Sequence, residues 1–191
     1  MWEKLSRLGI PVVLTHEPGG TMLGKELRSL LKKKGQAAIS LEAELLLFAA
    51  SRIQLVSEVI HPSLRQGKAV ICDRFADSTV AYQGYGRQID MNIIEKTNKL
   101  ATQGIKPELT ILLDIPAEEG LARKKRSRGD RFESEDISFH NRVREGYLKL
   151  AAAEPERWLV IDATISRAEV GRIIWIKLEP LLRAKGMLPH D

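Results

Sequence analysis

An α/β three-layer sandwich built on a parallel sheet is the fold class these 191 residues predict. Three observations carry it. Four short apolar runs rich in β-branched residues alternate with amphipathic helical patterns, as right-handed βαβ units require. None of the four runs alternates polar with apolar residues, so each suits a strand buried on both faces of a parallel sheet. Each run also turns polar at its carboxyl end, where α/β folds gather their ligands.

The elements follow in chain order. Residues 1–8 read as the end of a helix. Ile10–Thr15 (IPVVLT) is the first strand, announced by Gly9. Thr21–Lys33 is a helix with Leu23, Leu27, Leu30 and Leu31 on one face. Ser40–Leu64 is a long helix with Ser40 as its N-cap and apolar positions at Leu41, Leu45, Phe48, Ala49, Val56, Val59 and Ile60. Lys68–Asp73 (KAVICD) is the second strand, behind Gly67, and Met91–Gln103 the next helix. Leu109–Ile115 (LTILLDI) follows Pro107 as the third strand, and Ala117–Ser127 and Ser138–Ala153 are helices. Trp158–Asp162 (WLVID) is the fourth strand and Ser166–Ala184 the closing helix. No repeat or low-complexity linker divides the chain, so residues 1–191 form one domain. Such a domain ordinarily opens on a strand; this chain opens in mid-helix.

Composition narrows the function classes. A hydrophobic share of 43% and a charged share of 29% are those of an ordinary globular domain. No apolar run approaches the roughly 20 residues of a membrane span, and the opening MWEKLSRLGIP lacks the apolar centre of a signal peptide. One cysteine, Cys72, excludes an internal disulfide framework and fits a reducing, cytoplasmic compartment. Set in an apolar run, it reads as buried and inert. Of the net charge of +5, all is accounted for by Arg123–Arg131 (RKKRSRGDR), with six basic residues and one acid. The rest of the chain is neutral overall. A nucleic-acid binder would spread its basic residues over a face, so no nucleic-acid partner is expected. The concentrated charge suggests a local anion such as a phosphate group, with a solvated helix face as the alternative.

The strand ends hold the candidate chemistry. After the four strands come THEPGGT (Thr15–Thr21), CDRFADSTVAYQG (Cys72–Gly84), Asp114-Ile115-Pro116 and Asp162-Ala163-Thr164. Within the first lies GGTMLGKE, whose Gly19-x-x-x-x-Gly24-Lys25 spacing imitates a phosphate-binding loop. Such a loop needs Ser or Thr next to hold Mg²⁺, and the chain has Glu26, which would repel a triphosphate. Phe48 and Arg52, four residues apart, share a helix face. A ring beside a guanidinium can stack on a base while donating hydrogen bonds to its carbonyls; the alternative is that Phe48 is plain core and Arg52 pairs with Glu44 or Glu42. Asp73, closing a strand, is poised for a Mg²⁺ shell or a phosphate-bound water, and Arg74 could bridge two anionic groups. A strand-end ion pair is the competing reading.

Four stretches, EPGGT, LLFAASR, DRFADSTVAYQG and RFESEDISFHNRVREGYLKLA, resemble the thymidylate kinase family, bacterial type with a basic lid, in the same order along essentially the whole chain. The resemblance implies a P-loop NTPase-like nucleoside monophosphate kinase fold and ATP-dependent phosphorylation of dTMP to dTDP in dTTP biosynthesis, with Mg²⁺. It implies that Phe48 stacks on thymine and Arg52 bonds its carbonyl edge. Arg28 and Arg74 would hold the dTMP phosphate. Thr79, Tyr82 and Gln83 would line the base and sugar pocket, with Tyr82 crowding out a ribose 2′-hydroxyl. Glu17 and Asp73 would be acidic groups near the transferring phosphoryl and the metal. Arg126 and Arg128, in a lid over residues 123–133, would close over ATP, and Arg123 with Asp162, Ala163 and Thr164 would flank the adenine. Gly19–Glu26 would then belong to the monophosphate side, its P-loop spacing coincidental. A homodimer through the Ser40–Leu64 helix is implied as well, and Leu45, Leu46 and Leu47 cover more of that helix than one core face needs.

Two departures stand out. The family's P-loop and first strand would precede residue 1, so the chain reads as N-terminally truncated and its phosphotransfer as impaired. His16 stands where the family usually has Arg before EPGG. Two other readings stay open: a kinase for another nucleotide, and a degenerate chain that binds dTMP, or only a partner protein, without turnover.

Overall fold

The computed structural model describes residues 1–33, 38–124 and 130–189. Helix α1 (Trp2–Arg7) leads into β1 (Val12–His16), and α2 (Met22–Lys32) follows. Helix α3 (Leu41–Leu55) runs through a π-helical turn at Val56–Ile60 into α4 (His61–Arg65) and then β2 (Ala69–Asp73). Helix α5 (Ala76–Thr79) continues as a π-helical segment, Val80–Gly86, before α6 (Met91–Thr102) and β3 (Thr110–Asp114). Helix α7 (Ala117–Lys124), a short 3₁₀ turn at Phe132–Ser134, α8 (Ile137–Ala153), β4 (Trp158–Asp162) and α9 (Arg167–Ala184) complete the order.

Helix starts obey local chemistry. The Thr21 hydroxyl accepts from the Gly24 amide at 3.0 Å, Ser40 from Ala43 at 3.2 Å, and the Asp136 carboxylate from Phe139 at 2.7 Å. Each satisfies an amide that the first helical turn leaves without a partner, a contribution of about 1 kcal/mol per cap.

All strand pairings are parallel, as the apolar runs predict, but among the described residues they fall into two pairs, β1 with β2 and β3 with β4. The register sets His16 opposite Asp73 and Asp114 opposite Asp162. Each pair therefore delivers two polar residues to its carboxyl end. One expectation needs correction. The strands are not covered on both faces: Leu14 is 57% exposed, Leu113 51% and Val160 46%. Side chains alternate sides along a strand, and the described helices do not cover these positions.

The second departure is the helix over residues 76–86, which the sequence presents only as a polar strand end. Val80 and Tyr82 are strand formers, and Gly84 and Gly86 weaken a helix. Tertiary packing overrides them. Ala81, Gln83, Gly84 and Gly86 are buried against α8 and its neighbours. A Cβ on Gly86 would stand 2.7 Å from the Phe139 ring, so only glycine permits this approach of the π segment to α8. The Arg157 guanidinium fastens the same segment, donating to Asp77 at 2.7 and 2.9 Å and to Glu154 at 3.1 Å.

Among the described residues, three apolar cores lie around the strand pairs. Leu55, Val56, Ile60 and Phe75 pack under β2; Leu5, Ile10 and Leu182 join α1 to α9; Ala81, Phe132, Phe139 and Val143 form the third. The third core also touches Phe48, Tyr82 and Tyr147, so it forms the floor of the crevice between α3 and the π segment.

Candidate functional site

Two stripes of side chains face each other across that crevice. On α3, Glu44, Phe48 and Arg52 recur every four residues, and on the opposite wall Thr79 and Gln83 do the same. The rungs between them are hydrogen bonds. Arg52 Nη2 donates to Thr79 Oγ1 at 2.6 Å, and Gln83 Nε2 donates to Glu44 Oε1 at 2.9 Å. Phe48 sits between the rungs, its ring 5.8 Å from that of Phe132.

Arg52 is buried within the site, at 1% exposure. Its acidic partner is Glu17, not Glu44 or Glu42. Nε donates to both Glu17 oxygens at 2.8 Å, and Nη2 approaches Oε1 to 2.6 Å. Nη1 donates to Asn98 Oδ1 at 2.5 Å, and Asn98 Nδ2 donates onward to the Ala76 carbonyl at 3.2 Å. A guanidinium carries five N–H groups. The protein thus fixes four of them and leaves one Nη1–H without a partner among the described residues. Burial pushes the Glu17 carboxyl upward, and the Arg52 charge opposes the shift.

The GGTMLGKE segment is a packing device. Gly19 has φ 123, a conformation open to glycine, and an added Cβ would meet His16 Nε2 at 2.8 Å and Arg28 Cδ at 3.1 Å. Gly24 lies on α2 where a Cβ would stand 3.2 Å from the Ser51 hydroxyl of α3. Lys25 is exposed. Arg28 Nη1 donates to the Pro18 carbonyl at 2.7 Å, which holds its side chain across the loop beside His16.

At the end of β2, Asp73 and Arg74 are exposed. Arg74 has φ 69, a left-handed conformation costly to a side-chain-bearing residue, and this turns the chain sharply off the strand. Its guanidinium makes long hydrogen bonds to the hydroxyls of Tyr82 (3.2 Å) and Tyr147 (3.3 Å) and lies 5.0 Å over the Tyr82 ring. Cys72, half-buried, donates to the Arg74 carbonyl at 3.0 Å; burial, with Glu17 and Asp73 nearby, pushes its thiol up to about 12. The inert reading of this thiol agrees with that environment.

A second buried acid organises the far end of the stripe. Glu44 is 0% exposed. Besides Gln83 it accepts from Arg87 Nε at 3.2 Å, Arg87 Nη2 at 3.3 Å and Arg131 Nη2 at 2.5 Å. Arg131 Nε also donates to the Leu31 carbonyl at 3.1 Å, and Lys32 pairs with Asp130 at 2.7 Å. The end of the basic segment is thereby tied to α2 and α3.

The second strand pair gathers its own group. Arg144 from α8 grips Asp114 in a two-pronged pair at 2.7 and 2.8 Å, which holds the Asp114 carboxyl below the usual carboxylate range. Arg123 Nη1 donates to the Ala163 carbonyl at 2.8 Å, and Asp162 Oδ1 accepts from the Thr164 amide at 2.8 Å.

Of the residues singled out from sequence, Glu17, Arg52 and Thr79 meet in one hydrogen-bonded cluster, and Arg74 touches Tyr82. Arg28 stands beside Gly19, Phe48 joins the aromatic floor, and Arg123 meets the Asp162–Thr164 turn. Arg126 and Arg128, with the centre of the 123–133 lid, lie outside the described residues. Sequence reasoning missed the roles of Glu44, Arg87, Asn98, Arg131 and Tyr147. Only Glu44 carried a signal, its four-residue spacing from Phe48 on the Arg52 face.

A family model described as thymidylate kinase matches residues 1–174. Curated relatives named thymidylate kinase include one from Trichormus variabilis, 48% identical over 184 residues, spanning 95% of this chain and 87% of the relative. Another, from Dehalococcoides mccartyi, is 47% identical over 183 residues, spanning 96% of this chain and 88% of the relative. Among solved structures, the crystal structure of thymidylate kinase from Ehrlichia chaffeensis is similar with a TM-score of 0.72 and 37% identity, over 90% of this chain and 86% of that one.

Proposed function

Because the chain belongs to the thymidylate kinase family and is a nucleoside monophosphate kinase of α/β fold, we propose that it transfers the γ-phosphoryl group of ATP to dTMP, giving dTDP for dTTP biosynthesis. A dTMP phosphate oxygen attacks the γ-phosphorus, the bond to the β,γ-bridging oxygen breaks, and ADP leaves. The observation that carries this reading is the pair of facing stripes: an aromatic ring and a guanidinium on α3 opposite Thr79 and Gln83 bring together a stacking face and the polar groups that a nucleobase edge takes.

In this reading Phe48 stacks on thymine, and the spare Nη1–H of Arg52 donates to a thymine carbonyl. Thr79, Tyr82 and Gln83 line the base and sugar. Arg74 and Arg28 hold the dTMP phosphate; the long bonds from Arg74 to two tyrosine hydroxyls are readily exchanged for charge-assisted bonds to an anion. Glu17 contributes through Arg52, whose orientation it fixes. Phosphoryl transfer asks a protein chiefly for positioning and for positive charge where negative charge develops, and these arginines provide both. Arg126 and Arg128 would add charge over ATP, and Arg123 with Asp162, Ala163 and Thr164 would flank adenine.

Mg²⁺ usually keeps several waters and takes one or two carboxylates plus substrate phosphates. Exposed Asp73 fits that habit; among the described residues no group of three or more acidic, His or Cys side chains could cage a metal. Asp73 would hold the hydrated ion, which when bound neutralises phosphate oxygens.

Dimerisation is proposed through α3, supported by the exposure of Leu46 (60%) and Leu41 (40%), in a cytoplasmic protein with no nucleic-acid or membrane partner. Light scattering after size exclusion checks the dimer. The test of the function is a coupled ADP-release assay with dTMP, dUMP, dCMP and dGMP side by side, with calorimetry for dTMP and ATP. A clear preference for dTMP is expected. Preference for another monophosphate would overturn the reading, and dTMP binding without turnover would favour a dTMP-binding chain.

A further inference from the structure

The Gln83 side chain is an amide with a donor end and an acceptor end, and the protein decides which end the nucleobase meets. Gln83 is 2% exposed and Glu44 is 0% exposed. A carboxylate only accepts hydrogen bonds, so the Gln83 atom 2.9 Å from Glu44 Oε1 is the NH₂ group. Glu44 cannot turn away to relax that demand. Its Oε1 also accepts from Arg87 Nε at 3.2 Å, and its Oε2 accepts from Arg87 Nη2 at 3.3 Å and Arg131 Nη2 at 2.5 Å. Four donors occupy the four positions of the carboxylate. Arg87 is itself braced by Glu135 at 2.7 Å. A flipped Gln83 would set its carbonyl oxygen against a fully buried anion and strand its own NH₂ group.

We propose that Glu44 is a specificity-determining positioning residue: by holding the Gln83 NH₂ group it presents the Gln83 carbonyl oxygen to the base slot, so that the slot takes nucleobases with a ring N–H at that edge and rejects those with a bare ring nitrogen there. Thymine and uracil carry such an N–H at N3. Cytosine has an unprotonated N3, which would face the Gln83 oxygen lone pair to lone pair. The inference rests on the reading of this crevice as a dTMP site and deepens it, since it makes Glu44 the origin of the discrimination against dCMP although Glu44 touches no nucleotide. The energetic logic is that of a pocket built around a substrate N–H, which excludes analogues lacking it far better than an apolar pocket excludes an extra methyl group.

The test measures binding of dTMP and dCMP by calorimetry to the wild-type chain and to Glu44→Gln. In the variant, residue 44 is an amide that can donate or accept, so Gln83 is free to present either end. The wild-type chain is expected to prefer dTMP by 100-fold or more, and E44Q to lose at least tenfold of that preference. A loss of packing or stability alone weakens both ligands together and leaves the ratio unmoved, so an unchanged ratio in E44Q overturns the proposal while the dTMP reading stands. Failure of the wild-type chain to bind dTMP overturns both. Should E44Q not fold, the wild-type chain decides the matter by ¹⁵N NMR of the Gln83 side chain, identified by its loss in Gln83→Leu. Its NH₂ hydrogens are expected to exchange slowly with solvent both without nucleotide and at saturating dTMP. Fast exchange would mean that the donor end faces the slot and would overturn the proposal.

Discussion

Replacing Glu17 with Gln should unfold this protein more easily before it alters any chemistry. The Glu17 and Arg52 side chains are 3% and 1% exposed, with the two groups 2.6 Å apart. The substitution keeps the shape and one acceptor oxygen, so no cavity opens. What changes is charge: a guanidinium that water cannot reach loses its anion, and an amide NH₂ is set against its N–H groups. Breaking a buried ion pair from one side costs about 3–5 kcal/mol. Because Gln still accepts one hydrogen bond, the lower end, about 3 kcal/mol, is expected. For a chain of this size that is roughly 6–12 °C in Tm, at about 2–4 °C per kcal/mol. Urea unfolding followed by tryptophan fluorescence measures it, helped by Trp158, which is 5% exposed. The m-value should stay constant while the midpoint falls. The double variant Glu17→Gln, Arg52→Met should recover part of the loss, since no unpaired charge then stays buried. A loss below about 1 kcal/mol would refute the reasoning and return Glu17 to a purely catalytic role.

Other outcomes follow from the same contacts. Phe48→Ala should weaken dTMP binding by about 5- to 150-fold, the range of about 1–3 kcal/mol for loss of one base–aromatic stack, with little change in ATP affinity, both read by calorimetry; equal losses for both ligands would count against the stacking role. The Cys72 thiol, pushed up to about 12, should be only about 10⁻⁴ ionised at pH 8, so iodoacetamide should label it at least about 1,000-fold more slowly than an ordinary thiol, and rapid labelling of the folded protein would contradict its environment. Glu154, gripped by Arg157 and Lys106, has its carboxyl lowered from 4.5 to about 2. A lowered carboxyl contributes stability above its unfolded value that is lost as pH falls through the folded one. Tm should therefore decline between about pH 4.5 and 2 less steeply in Glu154→Gln than in the parent, and parallel profiles would show that Glu154 does not contribute there.

How much was legible in the sequence differs by element. Trp158–Asp162 formed its predicted strand to the residue, because a compact β-branched run between turn signals has no helical alternative. The long helix from Ser40 was legible because Ser40 caps it and its apolar residues recur at helical spacing. The helix at 76–86 was not. Its strand formers and glycines speak against a helix locally, and what decides is the contact of Gly86 with Phe139 and the anchoring of Asp77 by Arg157, partners 53 and 80 residues away. The site divides in the same manner. Phe48, Arg52, Asp73 and Arg74 announce themselves by spacing or by place at a strand end. That Arg52 should pair with Glu17 across 35 residues, and not with an acid on its own helix, depends on how β1 docks against α3. Glu44 was visible as one member of a stripe, but its service to Gln83 across 39 residues was not.

The crevice between α3 and the segment 76–86 is where a thymine nucleotide is expected to lie. A crystal structure of this chain with dTMP measures that directly. The base is expected against the Phe48 ring, within hydrogen-bond distance of Arg52 and Gln83, and the phosphate on Arg74. Nucleotide density seated elsewhere, with the Arg52–Thr79 and Glu44–Gln83 rungs untouched by ligand, would contradict it.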